Sequence, residues 1–241
     1  RFIPVVSRVR IPLSLLRRCD DLRIGLGCRI FFIQIYSNTI ICVILSSGVL
    51  CNYGKRGLRM SNGKKALIAM SGGVDSSVAL HLMQSLGFEC VGATMKLYDA
   101  KSVVDGQQED SACGSESATE DAAAVAAHFG IAFHVLSFCD EFRRHVINNF
   151  VETYQRGDTP NPCIECNRYL KFGRLIDVME SYGCEVLVTG HYARIERNEE
   201  TGRYLLKKGK DATKDQSYVL YRMTQKELAN TMFPLGEYTK A

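Results

Sequence analysis

The sequence predicts an α/β fold built on a doubly wound parallel sheet, and three observations predict it. Along residues 65–192 short apolar runs alternate with helical patterns, the links between them are short, and the runs end in Gly-rich turns. Lys65-Ala-Leu-Ile-Ala-Met70 reads as a buried parallel strand that stops at Ser71-Gly-Gly73. Val74, Val78, Leu82 and Leu86 then recur every fourth residue, beside Ala79 and Met83, and mark one face of a helix stopped by Gly87. Residues 89–94 read as a second strand, and 95–114 as a polar, aperiodic loop of the kind that covers active sites. Ser117-Ala-Thr-Glu120 has capping-box form and opens an Ala-rich helix that ends near Gly130. A third strand over 132–137 and a third helix over 140–155 follow. Residues 156–166 form a Gly/Pro/Asn loop leading into a helix over 167–182, and 185–189 form a fourth strand ending in Gly190-His191. In such sheets ligands bind beyond the C-terminal ends of the strands. After Tyr192 the pattern changes to a hairpin, 193–198 with 203–208, and to helices within 214–231 that include a second capping box, Thr224-Gln-Lys-Glu227.

Composition excludes several classes. The 241 residues are 46% hydrophobic and 23% charged, which rules out a disordered chain, a collagen-like fibre and a disulfide-dense mini-protein. The net charge of +4 hides a split, because the first 59 residues carry nine Arg, one Lys and two Asp. The rest is therefore net acidic. That leader contains an uncharged stretch of 22 residues, Ile30 to Cys51, which reads as a weak membrane span. Its Arg-rich, acid-poor character also fits an organelle transit peptide. The leading expectation is translation extended upstream of Met60, where the well-patterned sequence begins. Of ten Cys, four lie in the leader, and the other six are unevenly spaced within α/β patterning. A cytoplasmic thiol, metal or redox role fits them better than a disulfide framework.

Two segments carry chemistry. Ala69-Met-Ser-Gly-Gly-Val-Asp-Ser-Ser77 joins the first strand to the first helix. Gly72 and Gly73 let the backbone turn sharply, and the N–H groups at the helix start converge on an anion. Ser71, Ser76 and Ser77 add hydroxyl donors, while Asp75 is placed to hold Mg²⁺ against phosphates. A plain strand-to-helix turn needs neither the Asp nor three Ser. The second segment, Thr159-Pro-Asn-Pro-Cys-Ile-Glu-Cys-Asn167, sets two thiols three apart, with Cys166 expected at the mouth of a helix, where a thiolate is favoured. Structural zinc and an iron–sulfur cluster are the competing readings. Zinc wants four ligands, which only Cys113, Cys139 or Cys184 could complete.

The order Ser71-Gly-Gly-Val-Asp-Ser-Ser77 resembles the signature of the PP-loop ATP pyrophosphatases, whose fold is adenine nucleotide alpha-hydrolase-like. With Asn161-Pro-Cys-x-x-Cys-Asn167, Thr189-Gly-His-Tyr-Ala193 and Lys214-Asp-Gln-Ser-Tyr-Val-Leu-Tyr221, the chain resembles the tRNA-specific 2-thiouridylases. That resemblance implies ATP-dependent 2-thiolation of the wobble uridine in the tRNA anticodon loop, by adenylation of the C2 oxygen and sulfur transfer from a persulfide. It implies that Ala69, Met70, Ser71, Gly72, Gly73, Val74, Asp75 and Ser76 grip Mg-ATP, and that Met95 and Gly190 line the adenosine pocket. Asn161, Pro162 and Cys163 would face the target base, and His191, Lys214, Asp215 and Gln216 would contact tRNA. Cys166 matches the catalytic nucleophile. A persulfide donor protein is the implied second partner, the compartment is the cytoplasm, and no membrane partner is expected for the core. The implied domains are a leader over 1–59, an ATP-binding catalytic domain over 60–192 and the start of a central tRNA-binding domain over 193–241. The family's persulfide-carrying Cys follows the Lys-Asp-Gln-Ser-Tyr motif, but no Cys follows Cys184 here, so a C-terminally truncated member is expected. The alternatives are another PP-loop enzyme that makes a small-molecule adenylate and a catalytically incomplete tRNA-binding fragment. His81 and His128 read as ordinary helix residues, and Lys207, Lys208 and Lys210 as a solvated face or an RNA contact.

Overall fold

The structure is a computed structural model that describes residues 63–98 and 114–240, together with the backbone of two strands nearer the N-terminus. The chain divides into two compact units, residues 1–61 with residue 241, and Asn62–Lys240. In the first, β1 (Cys28–Ile35) and β2 (Thr39–Ser46) pair antiparallel, with Cys28 opposite Ser46 and Ile35 opposite Thr39. Within the uncharged stretch, residues 30–35 and 39–46 thus lie in two strands, where a single span would need one long helix. Among the described residues no helix is long and apolar enough to cross a membrane. The transit-peptide and extended-translation readings lie outside the described residues, as do residues 99–113 of the loop expected over 95–114, whose first two residues instead extend a strand that runs to Lys96.

The second unit contains strands β3 (Lys65–Ala69), β4 (Glu89–Lys96), β5 (Ala132–Ser137), β6 (Val186–Val188), β7 (Ala193–Arg197), β8 (Tyr204–Lys208) and β9 (Thr231–Met232). Its helices are α1 (Val74–Ser85), α2 (Glu116–His128), α3 (139–155), α4 (162–181) and α5 (Gln225–Ala229). Five strands form one parallel sheet in the order β5-β4-β3-β6-β9, which is the expected α/β architecture. From β3 the chain steps outward through β4 to β5, then returns to the other side of β3 as β6. That reversal is what doubly wound means. Successive side chains point to opposite faces. Leu67 and Leu187 therefore enter one core with Phe142, Val146, Leu170, Phe172 and Leu175 of α3 and α4. Helices α1 and α2 pack on β3, β4 and β5 instead, as right-handed crossovers on one side of the winding require.

Local chemistry explains where elements begin. Helix α2 is capped by Ser115, whose Oγ accepts the Ala118 N–H at 3.2 Å, two residues before the predicted Ser117. Ser117 turns its hydroxyl toward Ser115, 3.1 Å away, so its capping-box partner Glu120 is left out. The Thr224–Glu227 capping box forms as predicted. Helix α4 starts five residues earlier than its apolar pattern suggests. Asn161 is the N-cap, its Oδ1 accepting the Cys163 N–H at 3.1 Å, and Pro162 occupies the first helical position. Both α3 and α4 widen into π-helical turns, over Arg143–Ile147 and Cys166–Arg174, a local geometry often found at functional sites. The two wide turns meet where His145 stacks on Tyr169, with ring centroids 4.3 Å apart.

The segment after residue 192 does not leave the sheet for good. The antiparallel hairpin β7–β8 forms near its predicted bounds, but the chain then returns as β9 and pairs with β6, Leu187 opposite Thr231. Two residues are too few to show a period, so no sequence pattern announced β9.

Candidate active site

The C-terminal ends of β3 and β6 lie side by side where the winding reverses, and the sequence turns sharply at both. At the end of β3, Gly72 has φ +74° and packs so closely on α2 that a Cβ would fall 2.5 Å from the Ala118 carbonyl oxygen. Gly73 is the N-cap of α1 and brings no side chain to that role, so the first N–H groups of the helix are left for another acceptor. The buried Ser76 and Ser77 hydroxyls turn back to the Gly73 carbonyl, at 2.9 and 3.1 Å. Ser76 Oγ also accepts the Ser71 N–H at 3.3 Å, which closes the turn on itself. Met70 is buried, its N–H bonded to the Ala93 carbonyl at 2.8 Å, whereas Ser71, Gly73 and Val74 are exposed. Uncapped N–H groups at a helix start, exposed above a buried floor, have the form of an anion cradle.

From the end of β6, Gly190 faces that cradle. A Cβ there would lie 2.9 Å from the Asp75 carbonyl carbon and 3.0 Å from the Ser76 nitrogen. Only a glycine lets the strand end approach the helix start so closely. Met95, at the end of β4, is half-buried beside the same row of strand ends.

The Asp75 carboxylate is the acidic group of the first turn of α1. It accepts the Tyr192 hydroxyl at 3.1 Å and the Lys240 ammonium at 2.8 and 2.7 Å, one bond to each oxygen. Burial first, and then the Asp75 charge, push the Tyr192 hydroxyl well above its ordinary pKa, so it stays protonated and donates. The backbone of Tyr192 is clasped by Gln216, which accepts the Tyr192 N–H at Oε1 (2.9 Å) and donates its own N–H to the Tyr192 carbonyl (3.0 Å). Asp215 takes the Gly209 N–H at 2.9 Å and the Ser217 hydroxyl at 2.8 Å. Burial opposes its charge, but these bonds outweigh burial and hold its carboxyl below the usual range. Two residues expected to meet tRNA thus spend their side chains on the turn itself. Lys214, beside them, is exposed.

The same turn reaches the cysteines. The buried Asn167 donates Nδ2–H to the Val219 carbonyl at 3.1 Å, and Arg222 pairs with Glu165 at 2.8 Å. These two clamps flank Cys166. One bonded path therefore runs from Asp75 through Tyr192 to Gln216, and along a single 3₁₀ turn (Ser217–Val219) to the neighbour of Cys166. Among the described residues the Asn167 Oδ1 finds no hydrogen-bond partner, an uncommon state for a buried acceptor. Asn161, Pro162 and Cys163 are exposed. Because α4 starts at Pro162, Cys163 occupies its first turn and Cys166 the second, so the helix-mouth position predicted for Cys166 belongs to Cys163.

With this geometry in view, comparison with known proteins decides the family. Residues 64–241 match the family model described as the tRNA methyl transferase HUP domain. The chain belongs to this family. Among curated members, it is 48% identical over 181 residues to the tRNA-specific 2-thiouridylase MnmA of Clostridioides difficile (strain 630), covering 75% of this chain and 49% of that protein. It is 50% identical over 177 residues to the protein of the same name from Carboxydothermus hydrogenoformans, covering 73% and 48%. The chain thus spans about half the length of the curated relatives it matches. Among solved structures, a predicted subunit of tRNA methyltransferase from Methanocaldococcus jannaschii aligns with TM-score 0.39 and 14% identity, over 73% of this chain and 71% of that one. A glutamine-dependent NAD+ synthetase from Acinetobacter baumannii aligns with TM-score 0.38 and 17% identity, over 58% and 23%.

The residues fit some of the groups expected of this HUP-domain chain and not others. Among the described residues no set of three or more His, Cys, Asp or Glu gathers as a metal cluster. One carboxylate at the edge of an anion cradle is nevertheless what Mg²⁺ uses, because that ion takes its remaining ligands from phosphates and water. Asp75 already attracts a cation there, so the position suits positive charge. Zinc or an iron–sulfur cluster finds no such support. Cys90 and Cys184 are buried at the opposite, N-terminal ends of the strands, and burial together with Cys184 pushes the Cys90 thiol up to about 12. Cys139 directs its thiol to the Lys96 carbonyl at 3.6 Å. Cys113 lies outside the described residues.

His191, expected at a tRNA contact, is only 8% exposed. Its Nδ1 shares a 2.7 Å hydrogen bond with Thr189 Oγ1, and its ring packs against those of Phe172 and Phe233, which also touch each other. Burial first and the nearby Lys171 charge second hold its pKa well below 6.5. His191 is therefore neutral in the folded state and gains its proton only on unfolding. Stability is then fully present above the unfolded pKa and declines as pH falls below about 6.5, by up to ~1.4 kcal/mol per pH unit. Denaturant titrations between pH 7 and 5 should show this slope. His191→Gln should flatten most of it, with a smaller remainder from His81, which burial also depresses.

Proposed function

We propose that this chain is the nucleotide-binding core of a tRNA-uridine 2-sulfurtransferase, acting on the wobble uridine of the anticodon loop in the cytoplasm. The observation that carries the reading is the bonded path that joins an anion cradle to a two-thiol helix start through one turn. A small-molecule ligase has no use for the exposed Asn161–Cys163 corner, and methyl transfer needs neither a polyphosphate cradle nor paired thiols. The names of the curated relatives support the same chemistry.

The roles follow from position. The N–H groups of residues 69–76 and the exposed Ser71 hydroxyl hold the phosphates of ATP, Asp75 holds Mg²⁺, and Met95 and Gly190 border the adenosine, whereas the Ser76 hydroxyl is spent on the Gly73 carbonyl. When bound, Mg-ATP supplies an adenylyl group that turns the C2 oxygen of uridine into a leaving group. Asn161, Pro162 and Cys163 receive the base, which must be splayed out of the anticodon stack to reach them. Lys214 offers a charge to the RNA backbone, while Asp215, Gln216 and His191 act by holding the surrounding turns in place. The terminal sulfur of a persulfide bonds to C2, and AMP leaves with the uridine oxygen. A thiolate then attacks the inner sulfur and breaks the S–S bond, so the terminal sulfur stays on C2 as 2-thiouridine and the inner sulfur and the thiol end as a disulfide. Cys166 serves this exchange, and the persulfide comes from a donor protein.

The test is incubation with Mg-ATP, sulfide and an unmodified tRNA transcript that carries a wobble uridine. RNA-dependent AMP release and 2-thiouridine, detected by mass spectrometry of the digested tRNA, are expected, and a transcript with cytidine at that position should give neither. AMP formed at the same rate without RNA would reassign the chain to small-molecule adenylation. Retention of tRNA with no AMP would make it a binding module.

A further inference from the structure

We infer that Lys240 is an exchangeable counter-ion of the phosphate loop, a cation that neutralises Asp75 until a divalent metal takes the carboxylate and then pairs with the polyphosphate. This deepens the nucleotide-binding reading above and rests on it. The geometry is specific at both ends of the side chain. At the tip, the ammonium bonds both Asp75 oxygens, at 2.8 and 2.7 Å, and lies 5.7 Å from the centre of the Tyr192 ring. At the base, the Lys240 N–H donates to Asp211 Oδ2 at 2.9 Å. Asp211 is itself pinned, its other oxygen taking the Thr213 hydroxyl at 2.7 Å.

The segment that delivers Lys240 is docked on the helix of the phosphate loop. Leu235 packs with Leu82 and Tyr192, with Val78 and Tyr238 alongside. Gly236 lies so close to β7 that a Cβ would overlap the Ala193 carbonyl oxygen, and its own carbonyl accepts the Lys210 N–H at 2.8 Å. The backbone is therefore anchored beside α1, while the ammonium end is half-exposed.

Charge supplies the reason. A carboxylate at the rim of an anion cradle repels the polyphosphate the cradle is built to take, so Asp75 needs a cation partner. Lys240 neutralises it, yet a half-exposed ion pair is weak enough to yield to a divalent ion. Once released, an ammonium on a flexible stem is a point charge well suited to phosphate oxygens. A lysine that serves only to hold the C-terminal segment to α1 would make none of these exchanges.

The experiment is calorimetric titration of the full chain, as wild type, Lys240→Met and Lys240→Arg, with two separate probes: Mg²⁺ alone and metal-free inorganic pyrophosphate. For Lys240→Met, Mg²⁺ should bind several-fold tighter, because its competitor for Asp75 is gone. Pyrophosphate should bind roughly 10- to 100-fold weaker, as expected for losing one charge-assisted contact. Lys240→Arg should bring pyrophosphate affinity back to within about tenfold of wild type. Opposite shifts cannot arise from partial unfolding, which weakens both. Equal affinities in wild type and Lys240→Met, or shifts in the same direction, would overturn the inference and leave the nucleotide site standing. Wild-type protein that binds neither pyrophosphate nor ATP would overturn both.

Discussion

Gly190→Ala should abolish ATP binding, lowering affinity at least ~100-fold, and should destabilise the fold by about 1–3 kcal/mol. The added methyl meets backbone on every near side: the Asp75 carbonyl carbon at 2.9 Å, the Ser76 nitrogen at 3.0 Å and the Asp75 oxygen at 3.1 Å. No rotamer change relieves it. Either the end of β6 or the first turn of α1 must move, and the second of these carries the helix-start N–H groups and the Asp75 carboxylate. For a chain of this size the stability loss should appear as a fall in Tm of roughly 2–4 °C per kcal/mol. Calorimetric ATP titration and thermal unfolding of the same samples check it. An alanine variant that binds ATP normally would mean that the nucleotide lies elsewhere.

Cys166→Ser should lower 2-thiouridine formation by at least ~100-fold with glutathione persulfide as sulfur source, while RNA-dependent AMP release stays within a few-fold of wild type. The serine keeps the shape of the wide helical turn and leaves the Asn167 and Glu165 clamps untouched, so only thiol chemistry is removed. Cys163→Ser should have a smaller effect, because the role proposed for Cys163 is to face the base and not to exchange sulfur. Equal loss of AMP release and thiolation in Cys166→Ser would show that residue 166 supports the site's shape and does not handle sulfur.

Features that depend on neighbours in sequence were legible, and features that depend on distant ones were not. Strands β3 to β6 announce themselves by apolar runs, and the tight turn after β3 by its glycines and serines. Helix α4 was misplaced because its first turn carries no apolar pattern, although Asn161-Pro162 is a helix-start signal in its own right. The site's remaining members are long-range. Tyr192 reaches Asp75 across 117 positions, Lys240 across 165, and Asn167 reaches Val219 across 52. No periodicity encodes such pairs. Lys214-Asp-Gln-Ser-Tyr218 was visible as a motif, but its physical work was hidden. Its carboxylate and amide face inward to brace the site, which only the fold could show.

The return of the chain to the sheet at β9 has a mechanical meaning. Residues 189–230 leave one strand and come back to the strand beside it, so the hairpin, the bracing turn and α5 form a closed excursion whose two feet stand one strand spacing apart, about 4.8 Å. Such an excursion cannot swing on a single hinge as a tethered domain does. A pull on the β7–β8 hairpin loads both feet together, and both belong to the floor on which Gly190 and Asp75 meet. Amide protons of the bracing turn and of β6 should accordingly open as one cooperative unit in hydrogen exchange.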